Sequence, residues 1–232
     1  MSEEEGKPRR NLVQRLRDEF GFIQGNFLIM ILSWLILDLF TELPGTYYAL
    51  YVEALGATAT GIGLIGAVQT IAAAAVQIPG GYFTDKYGRK WLITTMTFIA
   101  AFARLFYVYA PSWEWIMVGA VIAGVCRIYQ PALNAIVSDS LPKEKRGMGF
   151  SLINLIASVS TTPAPLLAGY LFTLCGLVPS MRLMYKLVIF GFLIAGLLRT
   201  RLTETVETPE EVNLGEMMSS YPVSMRESID VW

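Results

Sequence analysis

Hydrophobic positions along this chain fall into six long runs, not into the short alternating stretches of strands or the one-sided stripes of soluble helices. A membrane-crossing helix needs about 20 apolar residues at 1.5 Å rise each. Six windows reach that length, roughly Asn26–Leu50, Gly61–Phe83, Trp91–Ala110, Trp113–Val137, Gly149–Cys175 and Met181–Thr200. The run from Ala59 to Phe83 carries no charged residue. Backbone polar groups in lipid must bond within their own segment, so each window is predicted to be helical. The expected fold class is all-α, a polytopic six-helix transmembrane bundle. It divides the chain into a leader over 1–25, the bundle over 26–200 and an acidic tail over 201–232.

The polar segments set the orientation. Lys7, Arg9, Arg10, Arg15 and Arg17 precede the first window, and Lys86, Arg89 and Lys90 sit in the second turn. Lys143, Lys145 and Arg146 sit in the fourth turn, and Arg199 and Arg201 flank the end of the sixth window. The first and third turns have neither Lys nor Arg, and only the fifth, with Arg182 and nearby Lys186, breaks the alternation. Positive loops stay inside, so both termini are expected on the cytoplasmic side of the cell membrane, with Glu53 and Glu114 outside. In the leader, Leu12, Leu16 and Phe20 recur at helical spacing around Arg15 and Arg17. That suits either an amphipathic helix on the inner membrane surface or a solvated basic leader. In the tail, Thr208-Pro209-Glu210-Glu211 reads as a capping box opening a short helix.

Composition narrows the function classes. The chain is 54% hydrophobic and 16% charged, with a formal net charge of −1. Nothing in that balance calls for nucleic acid. Cys126 and Cys175 lie in apolar segments and form no metal or redox motif, so they read as small hydrophobes. The absence of histidine leaves carboxylates as the groups able to carry protons near neutrality. With no metal constellation, phosphate-binding glycine loop or nucleophile elbow, no enzyme and no cofactor is expected.

The most specific string is Gly81-Tyr82-Phe83-Thr84-Asp85-Lys86-Tyr87-Gly88-Arg89-Lys90, in the second turn. Read physically, Gly81 ends a helix and permits close approach of another. Gly88 supplies a left-handed turn residue. Asp85 caps a helix start or pairs with Arg89, while Lys86, Arg89 and Lys90 hold the loop at the anionic inner leaflet. The string meets every position of G-x-x-x-D-[RK]-x-G-[RK]-[RK] and so resembles the signature loop of the major facilitator superfamily. Arg127-Ile128-Tyr129-Gln130 resembles the R-x-x-Q-G element of the drug/proton antiporters in that superfamily, with Pro131 in place of glycine. Pro163-Ala164-Pro165-Leu166-Leu167-Ala168-Gly169 is similar to their G-P-x-x-G-G motif, and its prolines imply either a bend that gates or one that only packs. The resemblance covers roughly Asn26 to Arg201 and identifies the chain with the amino-terminal half of such a transporter, nearest in pattern to the antiporters. It implies a signature loop that latches one conformational state against a second half-transporter.

Charges within the windows complete the picture. Asp38 and Glu42 fall in the first, Arg104 in the third and Arg127 in the fourth. Such residues cost at least about 2.5–3.5 kcal/mol each at the bilayer centre, so they face protein or water and seek partners. Two acids and two arginines are expected to form a near-neutral cluster at mid-membrane. With Gln130, the cluster reads either as a proton- and substrate-binding site or as static ion pairs and snorkelling arginines. The function expected is secondary active transport of a small molecule, coupled to protons, by alternating access. It would require a second six-helix half, a separate chain in preference to a second copy. The alternative is a non-transporting subunit or an inactive truncated product.

Overall fold

The computed structural model describes residues 20–205. Leu12, Leu16 and the Thr208–Glu211 box lie outside the described residues. Within them the chain makes six spans, four of them interrupted. The first consists of α1 (Gly25–Thr41), a 3-10 turn over Gly45–Tyr47 and α2 (Tyr48–Ala54). The second is one helix, α3 (Ala59–Tyr87). The third breaks at Arg104 into α4 (Arg89–Ala103) and α5 (Leu105–Val108). The fourth is α6 (Trp113–Cys126), a 3-10 turn over Arg127–Tyr129 and α7 (Gln130–Asp139). A 3-10 turn over Lys143–Lys145 leads the fifth, which divides into α8 (Arg146–Thr161) and α9 (Ala164–Cys175). The sixth is α10 (Leu177–Arg199).

The six expected windows each fall on one of these spans, with ends displaced by a few residues. The fifth turn differs most. Gly176 alone separates α9 from α10, so Arg182 is a helical residue and not a loop charge. Its Nη2 donates to the carbonyl of Ala110 at 3.0 Å.

Packing follows two apolar clusters. One gathers Tyr51, Tyr107, Met181, Tyr185 and Val188 around α2, α5 and α10. The other gathers Phe27, Met30, Leu92, Ile93, Leu133, Ile136 and Leu202 at the end where the first and sixth spans meet. At that end Asn26 makes a closed set of bonds with the segment leaving α10. Its Oδ1 accepts from the backbone N–H of Thr203 at 2.8 Å and from its hydroxyl at 2.9 Å, and its Nδ2 donates to Thr203 O at 2.9 Å.

The outer surface is apolar, as a lipid-facing surface must be. Ile71, Leu155, Val159 and Leu166 are all exposed. Tyr87 and Trp91 are exposed at one end of the bundle, and Tyr109 and Trp115 at the other. Eighteen residues separate Trp91 from Tyr109, about 27 Å at helical rise, close to the thickness of a hydrocarbon core with aromatic belts at its two boundaries.

Candidate functional site

The interruptions in the first, third and fourth spans surround a common cavity of about 300 Å³. Asp38 and Thr41 reach it from the end of α1, Arg104 from the break between α4 and α5, and Arg127, Tyr129 and Gln130 from the break between α6 and α7. Sequence explains the last break. Pro131 brings no N–H to the start of α7, so the preceding turn tightens into a 3-10 arrangement. Irregular backbone at membrane depth is tolerated where it lines a cavity. A smaller cavity of about 150 Å³ adjoins it, sharing Thr41, Gln69 and Arg104 and lined further by Tyr48, Tyr107 and Tyr185.

The expected near-neutral cluster is not what forms. Helix α1 ends at Thr41 because Leu43-Pro44-Gly45 turns the chain, so Glu42 sits at the cap, is exposed, and lines neither cavity. Asp38 is half-buried on the cavity wall and Arg127 and Gln130 present exposed side chains to it. Among the described residues Asp38 has no cation within 4.0 Å, and the ion pair at that distance is Arg89–Asp139. Arg104 lies instead over aromatic faces, its guanidinium carbon 5.3 Å from the Tyr107 ring and 5.7 Å from the Phe192 ring.

Arg199 takes the place that Glu42 vacates, with the opposite charge. It is the last residue of α10 and is fully buried, at 0% exposure. Its Nε donates to Ser33 Oγ at 3.2 Å and its Nη1 to Thr97 Oγ1 at 2.7 Å, while the Tyr129 ring lies 5.8 Å away. Its Nη2 is buried with no hydrogen-bond partner among the described residues. A count of end charges reads Arg199 as a loop residue. Its phase tells otherwise, because Met181, Met184, Tyr185, Val188, Phe192, Ala195 and Gly196 form the buried stripe of α10 and Arg199 continues it. A helical side chain also leans toward its own amino terminus, here back into the bundle.

The glycine-rich string of the second turn folds differently from expectation in two respects. Gly81 does not end a helix, since α3 continues to Tyr87, and a Cβ built on it meets nothing within 4 Å. The close approach is made one residue earlier, at Gly80, where a Cβ would fall 2.5 Å from the carbonyl oxygen of Ile128. Gly88 does adopt a positive φ, +84°, and by itself separates α3 from α4. The cap of α4 comes from beyond the sixth span. The Glu204 carboxylate accepts from the backbone N–H of Arg89 at 3.2 Å and of Lys90 at 3.0 Å. Arg89 pairs with Asp139, at the end of α7, and donates to Thr205 Oγ1 at 2.9 Å. The Asp85 side chain lies outside what is described. Lys86 is exposed and donates to Tyr82 Oη at 3.3 Å, a bond that holds its ammonium pKa above the usual value.

In the fifth span the helix is interrupted at Thr162–Pro163, with Pro165 in the first turn of α9. A Cβ on Gly169 would lie 3.3 Å from Tyr47 Oη, and Tyr47 stacks on Phe172 with ring centroids 5.1 Å apart.

Comparison with known proteins agrees with this geometry. Residues 24–224 match the family described as Major Facilitator Superfamily. A Na(+), Li(+), K(+)/H(+) antiporter of Planococcus maritimus is 29% identical over 116 residues, 47% of this chain and 27% of that protein. The multi-drug resistance efflux pump PmrA of Streptococcus pneumoniae is 24% identical over 135 residues, 56% of this chain and 34% of the pump. Among solved structures, a peptide transporter POT in complex with sulfate aligns with 97% of this chain at a TM-score of 0.61 and 15% identity, the chain covering 46% of that protein. The chain thus matches less than half the length of each of these three.

Proposed function

Since the chain belongs to the Major Facilitator Superfamily, we propose that it transports a small molecule across the cytoplasmic membrane by alternating access, coupled to protons and working against a second six-helix bundle. The observation that carries this reading is the polar cavity enclosed by broken spans. Secondary transporters build substrate and coupling-ion sites from discontinuous helices near the midplane. Proton coupling also fits the Planococcus relative, a Na(+), Li(+), K(+)/H(+) antiporter.

The requirement for a second bundle is supported by uneven burial. The second and fifth spans have only 17% and 11% of their most apolar windows buried, against 39–44% for the other four. On α3, Gly63, Ala67, Thr70 and Ala74 form an exposed stripe of small residues at helical spacing, the surface that lets helix backbones approach closely in lipid. We favour a partner of different sequence over a second copy, because the superfamily's signature loop faces a different half. We assign the end with Gly88, Asp139 and Glu204 to the cytoplasm, a reading that the Lys and Arg distribution supports.

Asp38 is assigned the coupling proton. It is the carboxylate on the cavity wall, and among the described residues no cation lies within 4.0 Å of it, so movement of an arginine toward or away from it would change its proton affinity. Everted membrane vesicles holding a pH gradient test this with a panel of labelled organic anions, cations and neutral compounds. The wild type should concentrate at least one of them, and Asp38→Asn should abolish accumulation while retaining equilibrium binding. Proton-driven accumulation by the Asn variant would remove Asp38 from the coupling role.

A further inference from the structure

We propose that the cavity accepts an organic anion, with Arg199 and Arg127 holding its carboxylate and the aromatic rings of the same cavity its aromatic body; the inference rests on the reading of this cavity as the substrate site. The first argument is charge. Three arginines line the cavity and one aspartate opposes them, leaving two positive charges in excess. The second is the state of Arg199. A fully buried guanidinium is costly unless paired, yet its partners are two hydroxyls and a ring, and Nη2 has none among the described residues. Arg104, on the same wall, also has a buried Nε without a partner. Donors held ready with no carboxylate within 4.0 Å among the described residues suit an anionic ligand. The planar guanidinium matches a carboxylate in a way that an ammonium does not.

The shape adds the rest of the ligand. The smaller cavity continues from the larger through Thr41, Gln69 and Arg104, and Tyr48, Tyr107 and Tyr185 line it. Beside the arginines the larger cavity is lined by Trp34, Tyr129 and Phe192, and a molecule with its carboxylate toward Arg199 would place its body against those rings. The same charge excess works against an organic cation, since like charges in a low-dielectric site repel strongly.

Benzoate, benzamide and benzamidinium share one shape and carry charges of −1, 0 and +1, so they separate charge recognition from fit. Their equilibrium binding to the full chain in mild detergent, read by titration calorimetry, requires no transport. A hydrogen bond to a charged group adds enough to make benzoate about tenfold tighter than either of the others. Arg127→Gln, at an exposed position where the fold does not depend on it, should cut benzoate affinity several-fold and leave benzamide unchanged. Arg199→Lys, which keeps the charge and loses the fork, should do the same. Benzamidinium binding as tightly as benzoate would overturn the proposal, and so would benzoate binding unaffected by both substitutions. Proton-driven transport of cations without benzoate preference would remove the anion site and leave transport standing. Benzoate selectivity without transport by any preparation would leave the site and remove the transport reading.

Discussion

Gly80 and Gly81 show how much a single residue's surroundings decide. Both lie within α3, but a Cβ at 80 meets the Ile128 carbonyl at 2.5 Å while one at 81 meets open space. Gly80→Ala should therefore destabilise the bundle by about 1–3 kcal/mol, the usual cost of overpacking. Gly81→Ala should leave stability unchanged or slightly raised, because alanine favours a helix interior. Thermal unfolding in detergent ranks the two, and equal losses would mean that Gly81 also packs within this bundle. Asp38 and Arg127, both of which line the cavity, were legible in the sequence because a charge inside an apolar window stands out. Sequence reasoning misplaced Glu42, whose neighbours Pro44 and Gly45 already announced a helix end. It passed over Arg199 because the last charge of a span looks like a loop anchor. Only its phase on the buried face of α10 distinguishes it from Arg201, which is exposed.

At the scale of elements, the segment leaving α10 acts as a strap. Leu202 is buried in the lower apolar cluster, Thr203 bonds Asn26 at the start of α1, and Glu204 caps α4. Through Arg89 and Asp139 the same network reaches the end of α7. Four spans are thus tied at one end by a few polar contacts that are far apart in sequence, which is why no local pattern announced them. Glu204→Gln should weaken the cap by about 1 kcal/mol, a typical cost for losing an N-terminal helix partner. Amide exchange of α4's first turn should rise in the variant, while the helices near Tyr185 stay protected. Unchanged exchange at Arg89 and Lys90 would show that the cap contributes nothing. The broken spans were legible only in part. Proline and glycine marked the breaks at 44–45, 131 and 163, whereas nothing near Arg104 signalled the one between α4 and α5.

For the whole molecule, number of spans, fold class and family were readable from hydrophobic run length and one loop motif, because lipid leaves the backbone few choices. What lies beyond those constraints is the assembly. The second and fifth spans remain largely uncovered, and the exposed Arg127 and Gln130 of the cavity would be expensive against lipid. The account therefore stands on pairing. Purification in mild detergent followed by mass measurement of the intact complex tests it most directly, with transport assayed on the same preparation in liposomes. The predicted result is this bundle in a one-to-one complex with a second six-helix bundle of different sequence, active as that complex. A stable lone bundle that transports by itself would contradict it.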